Sequence, residues 1–182
     1  MRVIAGQYKG RRLKTPTWEG VRPTSDKLRE TLFNILAPQV PGARVVDGYA
    51  GTGAIGIESL SRGAAHVTFI EQDRRGAALI AANLAVCGVG EGYTIERGDA
   101  AAVLRALPAD VEYDLVLLDP PYDADSQTVQ EALIAAAGRM SAGAVLVLEH
   151  ARRREPPEVA PLQRVRDVLS GDSTLTFFTR QH

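Results

Sequence analysis

The most specific chemical pattern in the sequence is Asp119-Pro120-Pro121-Tyr122, which directly follows an apolar run. The Asp119 carboxylate and the Pro120 carbonyl can each accept a hydrogen bond from one NH₂ group. Together they would draw an amino nitrogen on an aromatic ring towards tetrahedral geometry and stabilise the positive charge that develops on it during attack. The two prolines fix the turn, and the Tyr122 ring offers a stacking face worth about 1–3 kcal/mol per base. These four residues therefore predict catalysis at the exocyclic amino group of a nucleic-acid base.

A glycine-rich loop lies upstream, in residues 47–56, where Gly51, Gly53 and Gly56 form a G-x-G-x-x-G pattern. Glycines at this spacing let the backbone approach a ligand closely and let a helix pack tightly against a strand. Enzymes that bind dinucleotides share the pattern, but Asp47 at the strand end would repel a pyrophosphate and would attract an ammonium group. The loop therefore predicts a cofactor that carries an amino group here.

Two further carboxylates follow the next strands. Glu71 lies twenty residues after Gly51, where it can accept hydrogen bonds from both hydroxyls of a ribose. Asp99 is expected to accept the amino group of an adenine or to cap the helix that follows, and the two roles are compatible. S-adenosyl-L-methionine contains an amino acid and a ribose but no phosphate, and it is the predicted cofactor. The predicted cofactor contacts are Asp47, Tyr49, Ala50, Gly51, Gly53, Glu71, Gln72, Asp99 and Ala100.

Short apolar runs alternate with helical stretches from residue 43 onwards, and this alternation positions both motifs. Strands are predicted at 43–47, 66–71, 93–96, 113–118 and 144–149, with helices at 54–62, 73–86, 100–106 and 126–139. Residues 162–169 and 174–179 predict an antiparallel hairpin at the end. The pattern indicates an α/β fold with a mostly parallel open sheet, which binds ligands at the carboxyl ends of its strands.

The first forty residues have a different character. Residues 2–5 and 11–15 predict a short hairpin, and Thr24 is expected to cap a helix over residues 25–37. Residues 1–29 have a net charge of +6, whereas the remainder has −7. A basic arm on an acidic body suggests a polyanionic partner, although a solvated extension explains the charge equally well.

Composition excludes several classes of protein. The chain has 182 residues, of which 45% are hydrophobic and 24% charged, as expected for one globular domain. A single cysteine excludes a disulfide within the chain, and three separated histidines predict no metal site. The absence of a long apolar run predicts no membrane association and a cytoplasmic protein.

The motifs together resemble those of the RsmD family, which are bacterial small-subunit ribosomal RNA guanine-N2 methyltransferases. The resemblance lies in residues 3–6, 10–13, 22–34, 47–56 and 119–122 and covers nearly the whole chain. The block at 22–34 is the most family-specific, because many methyltransferases share the other two motifs.

This resemblance implies a Rossmann-like class I methyltransferase with a seven-stranded sheet in residues 41–182 and a basic hairpin-and-helix extension in residues 1–40. It implies methyl transfer from S-adenosylmethionine to N2 of one guanosine in 16S ribosomal RNA, within the small subunit or an assembly intermediate. Asp119, Pro120, Pro121 and Tyr122 would form the catalytic site of a monomer. The expected RNA contacts are Arg2, Lys9, Arg11, Arg12, Lys14 and Arg22.

Two alternatives stay open at the level of sequence. A DNA amino-methyltransferase acting on adenine N6 or cytosine N4 would use the same four residues, although the chain has little room for the target-recognition region that such enzymes add. A non-catalytic RNA-binding assembly factor could retain the fold, although the intact motifs argue against it.

Overall fold

The structure is a computed structural model that describes residues 1–19 and 24–181. Its strands are β1 (Arg44–Gly48), β2 (His66–Glu71), β3 (Tyr93–Arg97), β4 (Tyr113–Leu118), β5 (Met140–Ala151), β6 (Leu162–Ser170) and β7 (Ser173–Arg180). Its helices are α1 (Asp26–Leu36), α2 (Ala54–Ser61), α3 (Arg74–Cys87), α4 (Ala100–Ala106) and α5 (Ser126–Ala137).

The strands form one sheet in the order β3-β2-β1-β4-β5-β7-β6. The first five are parallel, and β7 pairs antiparallel with both β5 and β6. The chain reverses its direction of winding between β1 and β4, which is where open α/β sheets bind ligands. The predicted fold class, the seven-stranded sheet and the closing hairpin are confirmed.

Helices cover both faces of the sheet because its central strands are apolar on both sides. In β4, Leu115 and Leu117 pack in one hydrophobic cluster with α1, α2 and α3, whereas Val116 and Leu118 pack in a second cluster with α4 and α5. All four leucine and valine side chains are buried, as expected for a central parallel strand. This alternation decides which face each strand-end side chain occupies.

Most predicted boundaries differ from the structure by one or two residues, but β5 is much longer than predicted. It begins at Met140 and ends at Ala151, whereas the apolar run predicted 144–149. The additional residues pair with neighbours that the apolar run does not reveal: Met140 pairs with Tyr113 of β4, and Ala151 pairs with Ser173 of β7. Backbone pairing, rather than apolarity, therefore sets the ends of this strand.

The predicted N-terminal hairpin is present but shorter than predicted. Arg2 pairs antiparallel with Arg12, the Val3 N–H donates to the Arg11 carbonyl at 3.0 Å, and the Leu13 N–H donates to the Met1 carbonyl at 3.1 Å. The backbone N–H groups of residues 4 and 5 bond to the body of the protein and do not extend this pairing. The N–H groups of Ile4 and Ala5 donate to the Glu58 carboxylate at 2.8 and 3.0 Å, and the Ser61 hydroxyl donates to the Ala5 carbonyl at 2.5 Å. Helix α2 thus satisfies groups that a second strand would otherwise pair.

The N-cap of α1 also differs from the prediction. Ser25 caps the helix, because its hydroxyl accepts a hydrogen bond from the Leu28 N–H at 3.1 Å. Thr24, which was predicted to cap the helix, instead donates from its hydroxyl to Asp119 Oδ2 at 3.1 Å. The extension therefore reaches the predicted catalytic carboxylate.

A buried ion cluster fixes the extension to the body. Arg29 of α1 and Glu58 of α2 both have fully buried side chains, and Arg29 Nη1 lies 3.6 Å from Glu58 Oε2. Arg29 also donates to the Arg2 carbonyl at 2.9 Å, and Arg62 donates to Glu58 at 2.8 Å. Arg29, which contributes to the basic charge of residues 1–29, is therefore structural and is not available to a polyanion.

Among the residues that the structure describes, none of the helices combines the length and the apolarity that spanning a membrane requires.

We expect Glu58→Gln to lower the free energy of unfolding by about 3–5 kcal/mol, because the buried Arg29 would keep only the half-exposed Asp26 as an ionic partner. Urea denaturation checks this value. Arg105→Ala is the matched control, since Arg105 forms a half-exposed ion pair with Glu131 at 3.6 Å and should cost less than about 1 kcal/mol. Equal losses in the two variants would contradict a structural role for the buried cluster.

Candidate active site

Three carboxylates gather at the carboxyl edge of the sheet. Asp47 lies near the end of β1, Asp119 follows β4, and Glu149 lies near the end of β5. These three strands are adjacent and parallel, so their ends meet at one edge. Asp47 and Glu149 are buried, and both raise the pKa of Asp119 through their charge. The sheet thus brings together the cofactor motif and the catalytic motif, which are distant in the sequence.

The glycine-rich loop makes a tight turn between β1 and α2. Gly51 and Gly53 have φ angles of 57° and 76°, in the left-handed region that favours glycine, and Tyr49 also has a positive φ of 63°. The Gly53 N–H donates to the Ala50 carbonyl at 2.7 Å. At Gly56, a Cβ atom would lie 2.2 Å from the Phe69 ring, so only glycine allows α2 to pack this closely on β2.

Asp47 holds the start of α2. Its Oδ2 accepts a hydrogen bond from the Gly56 N–H at 2.8 Å. Burial is the main cause that raises the pKa of Asp47 to about 8, and the charge of Glu71 adds to the effect, while the Gly56 hydrogen bond opposes it. A cationic ligand group beside Asp47 would restore the ionised carboxylate.

Glu71 and Asp99 line the same edge, and both have a role in the protein backbone. Glu71 accepts from the Gly51 N–H at 2.7 Å and from the Asp73 N–H at 2.8 Å, so its carboxylate is fixed against the loop. Asp99 caps α4 by accepting from the Ala102 N–H at 2.9 Å, which confirms its predicted capping role. Their contacts with ribose and adenine stay predictions, as do those of Gln72, which is exposed, and Ala100, which is buried.

The loop contains a polar atom that a ligand would satisfy. The Tyr49 hydroxyl is buried and has no hydrogen-bond partner among the described residues. Burial, and secondarily the charge of Asp99, raises the pKa of Tyr49 to about 12. An unsatisfied buried hydroxyl costs free energy, and the acidic surroundings favour a cation. These residues therefore fit S-adenosylmethionine, which has an ammonium and a sulfonium group and polar ribose and adenine groups.

The Asp119 carboxylate is held in the turn after β4. The Asp119 N–H donates to the Gly48 carbonyl at 3.4 Å, which places the catalytic turn beside the cofactor loop. Burial, followed by the charge of Glu149, raises the pKa of Asp119 well above its usual range, and the Thr24 hydrogen bond opposes this shift.

Tyr122 is anchored by a polar cluster at its hydroxyl. This hydroxyl lies 2.5 Å from Ser173 Oγ and donates to Glu149 Oε1 at 3.3 Å, while Ser173 donates to the same Glu149 oxygen at 3.0 Å. Arg154 donates to the carbonyls of Tyr122 and Ala124 at 2.6 Å each. Tyr122 is thus held at both its hydroxyl and its backbone carbonyl.

A small open cavity adjoins the predicted catalytic turn. Pro120, Pro121, Tyr122, Glu149 and Arg154 contribute to its walls. The Pro120 side chain is buried, whereas Pro121 is exposed. The four predicted catalytic residues therefore lie between the cofactor loop and this cavity.

Sequence reasoning missed Thr24, Glu149, Ser173 and Arg154 as parts of the site. Glu149 had a recognisable signal, because it is a carboxylate at the end of a predicted parallel strand, like Asp47 and Asp119. The other three had none. Thr24 was predicted to cap a helix, Ser173 lies between the two predicted hairpin strands, and Arg154 belongs to a run of three arginines that matches no motif.

The predicted RNA contacts form part of the surface of the extension. Arg2, Lys9, Arg11, Arg12 and Lys14 are all exposed, whereas Arg22 lies outside the described residues. The backbone of this segment is held firmly, since the Lys14 N–H donates to Asn83 Oδ1 at 2.7 Å. Trp18 lies under the Arg75 guanidinium at 4.9 Å, so this tryptophan packs against α3.

Comparison with known proteins identifies the family. A sequence model of the family described as "Conserved hypothetical protein 95" matches residues 1–179. Ribosomal RNA small subunit methyltransferase D of Escherichia coli is 40% identical over 122 residues, which cover 67% of this chain and 60% of that protein. The chain belongs to the RsmD family. The family resemblance drawn from the motifs is therefore confirmed.

Two further proteins agree with membership in the RsmD family. The YlbH protein of Bacillus subtilis is 35% identical over 159 residues, which cover 87% of this chain and 86% of that protein. The structure of the yhhF protein of Escherichia coli matches with a TM-score of 0.83 and 32% identity, covering 100% of this chain and 98% of that chain. The likeness to the yhhF structure therefore includes the N-terminal extension as well as the sheet.

The raised pKa of Asp47 predicts a pH dependence of stability. Because its pKa is about 8 in the folded state, Asp47 keeps a proton there up to about that pH, whereas the unfolded chain releases it near the ordinary pKa of 3.8. Stability should therefore fall as the pH rises through this window. We expect urea denaturation to show a larger loss between pH 5.5 and 7.5 for the wild type than for Asp47→Asn. Parallel pH profiles for the wild type and Asp47→Asn would show that Asp47 carries no such proton. Asp110→Asn changes an exposed residue and serves as the control, so its stability should change with pH as that of the wild type does.

Proposed function

We propose that this protein transfers a methyl group from S-adenosyl-L-methionine to the exocyclic N2 of one guanosine in 16S ribosomal RNA. The observation that carries the proposal is the contact between the two motifs, where the Asp119 N–H bonds to the Gly48 carbonyl. The amine-activating turn then borders the cofactor loop directly. Membership in the RsmD family supports ribosomal RNA as the substrate, since the relative from Escherichia coli is named for methylation of the small-subunit RNA.

The chain's own residues would act by holding and orienting the two reactants. When bound, S-adenosylmethionine supplies an electrophilic methyl group on a sulfonium. Asp47 would pair with its ammonium, and Glu71 would accept the ribose hydroxyls. Asp119 and the Pro120 carbonyl would accept the two N2 hydrogens of guanine, which aims the nitrogen lone pair at the methyl group. The fixed Tyr122 ring would stack on a base exposed in an RNA loop or flipped out of a helix.

The basic surface of residues 1–40 would dock phosphates of the RNA. Thr24 connects this extension to the site, because it bonds to Asp119 at 3.1 Å. The extension would thus serve both as an RNA contact and as a support for the catalytic carboxylate. The expected substrate is a small-subunit particle or an assembly intermediate. The enzyme is expected to act as a cytoplasmic monomer.

Mass-spectrometric mapping of 16S ribosomal RNA from a strain that lacks the gene tests the proposal. One N2-methylguanosine should disappear and should return when the gene is restored. Incorporation of tritiated methyl groups into DNA but not ribosomal RNA would instead favour adenine N6 or cytosine N4 of DNA as the target. Failure to bind S-adenosylmethionine by calorimetry would favour a non-catalytic assembly factor.

Asp119→Ala should abolish methyl transfer while largely sparing cofactor binding, because its carboxylate would contact the target amine. The measurements are transfer of tritiated methyl groups to small subunits and calorimetric titration with S-adenosylmethionine. Asp123→Asn is the matched control, since it is an exposed acid just outside the four residues, and it should retain activity. Near-normal turnover by Asp119→Ala would refute the proposed role.

The double variant Arg12→Ala/Lys14→Ala should weaken binding to 16S ribosomal RNA and leave cofactor affinity unchanged. Each lost phosphate contact lowers the slope of log affinity against log salt by about 1, so filter binding at several salt concentrations should show a slope smaller by about 2. Arg166→Ala, on the exposed edge strand β6, serves as the control. An unchanged slope in the double variant would show that Arg12 and Lys14 do not contact RNA phosphates.

A further inference from the structure

Guanine presents more hydrogen-bond donors than the proposed catalytic turn can accept. Its Watson–Crick edge carries two hydrogens on N2 and one on the adjacent N1. The Asp119 carboxylate and the Pro120 carbonyl would take the two N2 hydrogens. A buried N1–H without an acceptor would cost much of the binding free energy. A guanine-specific site therefore needs a third acceptor beside Asp119.

Glu149 occupies the position where such an acceptor is needed. Leu118 of β4 pairs with Leu148 of β5, so the next residues along the two parallel strands, Asp119 and Glu149, are neighbours. Leu117 and Val147 lie on the same face of the sheet, and the side chains two residues later follow on that face. The Asp119 and Glu149 side chains are close enough to interact electrostatically.

A proton shared between these two carboxyl groups would relieve the repulsion between them. Two ionised carboxylates at this distance repel each other, and burial increases the cost. The charge of Glu149 accordingly raises the pKa of Asp119, in addition to the larger effect of burial. Guanine would replace the shared proton with its own N–H donors, which neighbour one another on the base as the carboxylates do on the sheet.

Resting on the function proposed above, we propose that Glu149 determines specificity for guanine by accepting the N1–H of the target base. Adenine and cytosine have an exocyclic amine beside a ring nitrogen that is an acceptor. Glu149 would face that lone pair with a carboxylate, so these bases would be repelled while guanine is bound. The four residues at 119–122 accept any base amine, whereas Glu149 would select guanine among them.

The surroundings of Glu149 suit this role. The Glu149 side chain is 8% exposed and lines the cavity beside Tyr122. Hydrogen bonds from Tyr122 and Ser173 both reach its Oε1 atom, which fixes the carboxylate relative to the stacking ring. A carboxylate has about four acceptor positions, so one such group can accept from more than two donors at once.

The test varies the target base and the side chain at position 149 in combination. Small subunits are assembled with 16S ribosomal RNA that carries guanosine, 2-aminopurine riboside or inosine at the mapped nucleotide. 2-Aminopurine keeps the exocyclic amine but has an acceptor at N1, whereas inosine lacks the amine and serves as the blank. The value of kcat/KM for transfer of tritiated methyl is measured with wild type and with Glu149→Gln.

The wild type should prefer guanosine to 2-aminopurine by at least about 100-fold, because the site rejects an analogue that lacks the N1–H. In Glu149→Gln the amide can donate to N1 of 2-aminopurine, so the preference should fall to less than about tenfold. The loss of O6 in 2-aminopurine affects both enzymes alike and cancels in the comparison.

A purely structural Glu149 would give a different pattern. Glu149→Gln would then slow transfer to both bases by the same factor and keep the wild-type preference, which overturns the inference. Ser173→Ala is the matched control, because it removes the anchor but not the carboxylate and should retain the preference at a lower rate. Should Glu149→Gln not fold, a wild-type preference below about tenfold overturns the inference by itself. No transfer by wild type to the guanosine subunits would instead refute the proposed function, and the inference with it.

Discussion

Burial of acidic side chains at one edge of a parallel sheet is the constraint on which the rest of this structure depends. Asp47, Asp119 and Glu149 lie at the ends of adjacent strands, and removal of carboxylates from water is costly. The protein reduces this cost with hydrogen bonds from Gly56 and Thr24 and with elevated pKa values. A cationic cofactor and an amine-bearing base would reduce this cost further, because they bring positive charge and N–H donors.

The N-terminal extension belongs to this arrangement as an integral part. Val3 and Leu13 pack in the same hydrophobic cluster as α1, α2 and α3, and the buried Glu58 binds the backbone of the extension as well as Arg29. A segment held this firmly can place Thr24 on Asp119. The boundary near residue 40 therefore stays a prediction about RNA contact, whereas the core is continuous across it.

The strands and helices that depend on a local sequence pattern were predictable. The alternation of apolar runs and helical stretches predicted the sheet and its helices, because apolar periodicity depends on the faces that each segment buries. The short extent of the N-terminal hairpin was not predictable in this way. The backbone of residues 4 and 5 has a competing partner in Glu58, more than fifty positions away, and no local pattern reveals that competition. The prediction that Thr24 caps α1 was wrong for the same reason. Ser25 caps the helix, and the Thr24 hydroxyl donates a hydrogen bond to Asp119 instead.

The sequence by itself determined the types of chemistry, through the carboxylate and prolines at 119–122, the glycine pattern at 51–56 and the family-specific block at 22–34. It thereby identified the RsmD family and the residues expected to bind a cofactor and a base amine. Only the tertiary structure decided that Glu149 lies beside Asp119 and that Ser173 and Arg154 anchor Tyr122. The reason is physical: strand register and crossover connections decide which side chains meet, and these depend on contacts between segments far apart in the chain.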